Sequence, residues 1–182
     1  TNPICFGVPT GKTPFILDTS TSKINRGKIR RADKFGEKIP YGVALDKSGK
    51  ITTNAKKALE GTQLPIANFK GSGLAWMVDI LSGVLTGSSH GGKTKDPFDD
   101  FSGPQNVGHL FITINPKIFI GKQFIKEMKK NIRLVKKLPK AKGFNSILYP
   151  GERKNKLYKK NLNKDISIPV KILKEMDDLN AI

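Results

Sequence analysis

Apolar positions along this chain follow two rhythms. Up to about residue 116 they come as short runs between Gly, Pro and Thr; from about residue 121 they recur every three or four positions among lysines. The first rhythm predicts short strands over 4–8, 15–18, 41–45 and 109–114, with Phe15, Ile16 and Leu17 read as buried. The last of these alternates: Leu110, Ile112 and Ile114 fall on one face, His109, Phe111 and Thr113 on the other. Asp46-Lys47-Ser48-Gly49 has the composition of a turn. Residues 54–60 predict a short helix with Gly61 as its stop. Residues 73–85 predict a strongly apolar helix, of a length that suits burial, and 88–108 a long loop rich in Gly, Pro and Asp.

The second rhythm predicts amphipathic helices. In 122–138, Phe124, Ile125, Met128, Ile132 and Val135 share one face and lysines the other. Further helices are expected over 153–161 and 170–180, the latter entered through Pro169, with 139–150 as a connector. The expected organisation is an α/β domain over 1–120 followed by a helical segment over 121–182, without internal repeats or heptads.

Charge changes the picture only in part. The 182 residues carry 33 Lys and Arg against 15 acidic groups, a net +18. Such an excess suits a polyanionic partner. Yet the lysines are spread over the whole chain, densest over 117–164 on predicted solvated helix faces, without the interleaved aromatics of a nucleic-acid reader. A basic polyanion- or nucleic-acid-binding module without catalysis is therefore the alternative reading. One cysteine, Cys5, excludes an internal disulfide framework and a Cys-rich zinc site. No apolar run reaches the ~18 residues of a membrane span, and the chain opens Thr-Asn-Pro rather than with a basic, then apolar leader. The expectation is a cytoplasmic protein with neither a membrane nor a specific nucleic-acid partner.

Candidate chemistry begins with a near miss. Gly7-Val8-Pro9-Thr10-Gly11-Lys12-Thr13 has one residue too few between its glycines for a phosphate-binding P-loop, and Pro14 with an apolar run follows where a helix must start. The segment reads instead as two strands joined by a turn. Gly71-Ser72-Gly73 is no dinucleotide fingerprint either, because Trp76 stands where the third Gly belongs. His90 and His109 lie far apart, neither in a metal-binding spacing, and no metal site is expected. His109, at a strand start, reads as structural.

Three stretches remain. Lys70, before a Gly-Ser-Gly turn that opens the apolar helix, suits an anion site at a helix N-terminus, or equally a packed helix entrance. Asp18, Thr19, Ser20, Thr21 and Ser22 end a strand; such hydroxyls can bind a ribose or phosphate, and Ser22 can cap a following helix. Gly151, Glu152 and Arg153 sit at a turn entering a helix, where a carboxylate also serves as an ordinary cap.

Taken in order, "TNPICFGVP", "LDTSTSKINRGKI", "FKGSGLAWMVDILSGVLTG", "GHLFITINP" and "LYPGER" resemble the malate/L-lactate/ureidoglycolate dehydrogenase family over nearly the whole chain. The resemblance implies a mixed-sheet, non-Rossmann α/β cofactor domain with a helical C-terminal tail. It implies hydride transfer between NAD or NADP and a 2-hydroxy or 2-oxo acid such as malate or lactate, in a homodimer when full length. Cofactor contacts carry over to Asp18, Thr19, Ser20, Lys70, Gly71, Gly151, Glu152 and Arg153. The family's catalytic histidine lies upstream of the "TNP" motif, and neither His90 nor His109 matches it. The expectation is a C-terminal half that holds the cofactor, contains no catalytic residue, is inactive alone and exposes apolar surface.

Overall fold

A computed structural model describes residues 1–180. Its elements run β1 (Ile4–Val8), β2 (Phe15–Thr19), α1 (Arg26–Lys34), β3 (Ala44–Leu45), α2 (Ala55–Glu60), β4 (Thr62–Gln63), α3 (Phe69–Asp79), α4 (Gln123–Lys137), α5 (Glu152–Asn161) and α6 (Val170–Asn180). A π-helical turn, Ile80–Val84, continues α3, and a 3-10 turn, Pro116–Ile118, precedes α4. The architecture is α/β with small sheets: β1 pairs with β2, and β3 pairs antiparallel with β4 in the register Ala44 to Gln63 and Leu45 to Thr62. Among the described residues no helix is long and apolar enough to cross a membrane.

The chain divides into two units. The first comprises Thr1–Gly7 and Ile16–Gly121; the second comprises Val8–Phe15 and the residues from Lys122 onward. The core of the first unit is built from small and branched side chains. Ile29 and Ala32 on α1 face Ala55 and Ala58 on α2, with Ile24, Ile39 and Ala44 closing the cluster and Val43 and Leu59 at its edge. Alanines on both helices permit close approach, and Ile29, with no exposed surface, is the largest side chain fully enclosed there. Each helix is started by an asparagine. The Asn25 side chain accepts from the Lys28 N–H at 2.8 Å and that of Asn54 from the Lys57 N–H at 2.9 Å. Both satisfy a donor that the first turn leaves free.

Several expectations hold. The predicted stop of α2 at Gly61, the amphipathic α4, and the helices near 153–161 and 170–180 are all present. The turn at Asp46 is closed by its own carboxylate, which accepts from the Ser48 and Lys50 N–H groups, and Gly49 takes φ +81°. Residues 8–15 join two strands, with no helix after Lys12.

Others are corrected. Residues 109–114 form no strand: they run as irregular chain with Phe111 87% and Ile112 75% exposed. Alternation supplies a face, but a strand also needs a partner, and none pairs with it among the described residues. Of 41–45 only Ala44 and Leu45 are strand. Ile16 and Leu17 are exposed, not buried: each keeps 40% of its surface open on the two-stranded β1–β2 sheet. The apolar helix begins at Phe69, four residues before its expected start, so the Gly-Ser-Gly segment is helical. It is not buried either: Trp76 is 71% exposed, and Ile80, Val84 and Leu85 are exposed with it.

Candidate functional site

The end of β2 and the entrance of α3 are laced together within the first unit. Past Thr19 the chain runs antiparallel to 64–66, the segment that leads into α3. The Lys23 N–H donates to the Leu64 carbonyl at 2.8 Å and the Ile66 N–H to the Thr21 carbonyl at 2.9 Å, with Ser22 bridged to Pro65. The Thr21 hydroxyl, 3% exposed, reaches the carbonyls of Thr1 and Asn2 at 3.0 and 3.1 Å. The Asn2 amide in turn donates to the Ala75 carbonyl inside α3 at 2.7 Å. A hydroxyl that read as a ligand group is thus a structural rivet between the N-terminal segment, β2 and α3.

The remaining strand-end groups are more open. Asp18 is exposed, and Thr19 and Ser20 are half-buried. Among the described residues their hydroxyls make local bonds, Thr19 to the Ser20 carbonyl at 3.0 Å and Ser20 to the Ser22 carbonyl at 3.1 Å, with the Ser22 hydroxyl donating to that of Ser20 at 3.3 Å. Ser22 does not cap α1. Its hydroxyl donates to the Ile24 carbonyl at 2.7 Å, and Asn25, three residues on, is the cap. The sequence signal for Asn25 was there, an Asn immediately before the polar run that starts the helix.

Lys70 lies exposed in the first turn of α3. The chain enters that turn through Ala67 and Asn68, both in the left-handed region at φ +46° and +54°. Such a conformation is uncommon for residues with a Cβ. Gly71 is buried, and a Cβ there would collide with the Ile66 carbonyl. Its glycine is therefore required by the close pass of the entering chain. Gly73, two residues on, has open space around it.

The Gly-Glu-Arg turn belongs to the second unit. Gly151 adopts φ +92°, left-handed, immediately before α5. Glu152 is buried and its carboxylate is saturated: Lys136 bonds both oxygens at 2.7 and 2.9 Å, Lys156 bonds one at 3.0 Å, and the Tyr149 N–H approaches at 3.4 Å. Burial opposes its ionisation, but the two ammonium groups outweigh that and hold its carboxyl below the ordinary range. Arg153 is exposed. Lys136 is sixteen residues from Glu152, and no local spacing rule points to that partnership.

The loop over 88–108 is pinned to α1. Asp96 accepts from Arg26 Nε at 2.8 Å and from Arg30 Nη2 at 2.7 Å; Arg30 also bonds Asp99 at 2.7 Å and lies 4.7 Å over the Phe98 ring. His90 Nδ1 is 3.0 Å from the Ser88 carbonyl, and His109 sits in irregular chain 6.1 Å from the Phe111 ring. Neither histidine meets the strand-end or α3-entrance residues in any hydrogen bond or ring contact among the described residues.

The family model described as malate/L-lactate dehydrogenase matches residues 1–177. A malate/(S)-sulfolactate dehydrogenase of Methanothermus fervidus is 35% identical over 98% of this chain and 51% of its own length. A (2R)-3-sulfolactate dehydrogenase (NADP(+)) of Chromohalobacter salexigens is 42% identical over 65% of the chain and 36% of its own length. The solved structure of sulfolactate dehydrogenase from Methanocaldococcus jannaschii superposes with a TM-score of 0.76 and 38% identity, over 92% of this chain and 48% of that one. The chain spans about half the length of the first of these relatives.

Proposed function

This chain belongs to the malate/L-lactate dehydrogenase family, and on that premise we propose that it forms the dinucleotide-holding part of an oxidoreductase acting on a 2-hydroxy or 2-oxo acid such as malate, lactate or sulfolactate. The observation that carries the reading is the lacing of the β2 end to the α3 entrance, through Thr21 with Ile66 and Asn2 with Ala75. It fixes a carboxylate and two hydroxyls on one segment of the first unit and an exposed ammonium at the head of α3, the helix entered from the partner segment 64–66.

That donor set fits NAD or NADP. Asp18, Thr19 and Ser20 offer the acceptor and hydroxyl groups a ribose needs, and Lys70 offers a cation to a pyrophosphate beside a helix N-terminus. When bound, the nicotinamide supplies the hydride acceptor or donor for the substrate's C2. The rest of the work falls to the chain. Gly71 lets the entering backbone pass close enough to set the angle of α3, and Thr21 fixes the spacing of the two segments. In the second unit Glu152, neutralised by Lys136 and Lys156, holds the turn that presents Arg153; it is a positioning residue.

The cofactor domain in this reading is not of Rossmann type. Gly71, Ser72 and Gly73 lie inside a helix, not in a strand-to-helix turn. The acid–base group that exchanges the substrate's proton is assigned outside this chain; among the described residues neither His90 nor His109 bonds to Asp18, Thr19, Ser20 or Lys70. A homodimer is the assembly that goes with the reading. The test is a titration of the purified chain with NADH and NADPH followed by nicotinamide fluorescence, with a turnover assay on oxaloacetate and pyruvate. Saturable binding without turnover is expected; turnover would overturn the assignment of the acid–base group, and absent binding would overturn the reading itself.

A further inference from the structure

The second unit contains a cleft of about 400 Å³ lined by Thr10, Lys12, Lys129, Ile132, Arg133 and Tyr149. Lys129 and Arg133 are one turn apart on α4, so both reach the same side of the helix. Lys12 comes from the β1–β2 turn, where Gly11 at φ +77° brings the backbone so close to α4 that a Cβ there would touch Ile125 and Lys129. Two features hold the wall in place. The Thr10 hydroxyl, 3% exposed, donates to the Thr13 carbonyl at 2.8 Å, and the Tyr149 hydroxyl donates to the same carbonyl at 3.0 Å.

Three cations thus face one cleft, and among the described residues no carboxylate pairs with any of them. Elsewhere in this unit the chain does supply counter-charge: Glu152 takes two lysines, Lys136 and Lys156. All three are exposed, so water screens most of their mutual repulsion, and an anion seated among them gains attraction from three cations at once. Ile132 and the Tyr149 ring add an apolar wall, so the cleft suits an anion with more bulk than a halide.

We infer that the cleft formed by Lys12, Lys129 and Arg133 is a binding site for a small phosphate-bearing polyanion, separate in its residues from those assigned to the dinucleotide. The guanidinium supplies a planar two-donor fork and the two ammonium groups point charges, the mixture suited to phosphoryl oxygens. The inference does not rest on the dehydrogenase reading.

Inorganic pyrophosphate is the probe, titrated calorimetrically into the full chain at physiological salt, where diffuse attraction to a basic protein is screened. One-to-one saturable binding is expected. The paired substitutions Lys129→Met and Arg133→Met are expected to weaken it about tenfold or more, as is Lys12→Met in the turn. Lys126→Met with Lys130→Met removes the same charge from the same helix outside the cleft and is expected to change affinity less than about twofold. Equal losses from both α4 pairs, or no saturable binding, would overturn the site. Displacement of pyrophosphate by NADH would overturn its separateness. Lys70→Ala is expected to leave pyrophosphate binding intact even where it abolishes dinucleotide binding.

Discussion

Lys136 holds both carboxylate oxygens of Glu152, at 2.7 and 2.9 Å, across the connector that links α4 to α5. Lys156 adds a third bond from the next turn of α5. The pair closes the connector onto its helices, and Lys136 also lies 5.7 Å over the Tyr149 ring. Replacing Glu152 by Gln removes the charge and leaves Lys136, its side chain 37% exposed, without its carboxylate. Since Lys136 keeps access to water, the cost is expected at about 1–3 kcal/mol rather than that of a fully buried pair. Urea unfolding of the Glu152→Gln chain against the parent measures it.

The same carboxylate sets an acid limit. Its folded value is depressed, because the bonds from Lys136 and Lys156 outweigh the effect of burial. A depressed carboxylate binds fewer protons folded than unfolded, so its contribution is full at neutral pH and fades as the pH falls through its lowered folded value. Asp96 behaves alike: burial opposes its charge, and the Phe98 N–H together with Arg30 and Arg26 more than compensate. Thermal melts are expected to lose stability below the ordinary carboxylate range, and Glu152→Gln is expected to flatten that dependence.

Asp96 should control the order of the loop over 88–108. Asp96→Asn breaks two arginine contacts at once, while Asp99→Asn breaks one at a site 59% exposed. Amide exchange across the loop is expected to rise for the first substitution and hardly at all for the second.

Two glycines of α3 separate packing from ligand contact. Gly71→Ala forces a Cβ against the Ile66 carbonyl, and backbone cannot move aside as a side chain can. A loss of at least about 2–3 kcal/mol is expected. Gly73→Ala has room and removes helix-interior glycine, so it is expected to be neutral or stabilising by up to about 1 kcal/mol. Circular-dichroism melts distinguish the two.

What was legible in the sequence follows from how local the determining physics is. The second half declared itself through three- and four-residue spacing, because a helix satisfies its own backbone and needs only one apolar face. α2 was marked by its stop at Gly61, while Asn54, read as its first residue, is its cap. By contrast, 109–114 carried the alternation of a strand without a partner to make it one. Gly-Ser-Gly is turn chemistry in isolation, which puts the expected start of α3 four residues late; the close pass of Ile66, which explains Gly71, is invisible to local spacing. Thr21 read as one hydroxyl among four; its burial against Thr1 and Asn2 depends on chain folding back from twenty residues away. The same holds for Lys136 with Glu152.

The most direct test of the central claim is the affinity of the chain for NADH and NADPH with Lys70 intact and with Lys70→Ala, each variant first shown to melt like the parent. Lys70 is exposed, so its loss should spare the fold. If this segment holds the cofactor's phosphates, the parent binds saturably and Lys70→Ala weakens binding about tenfold or more, the scale of a lost charge-assisted bond. Unaltered affinity in the folded variant would contradict the account and remove the α3 entrance from the site.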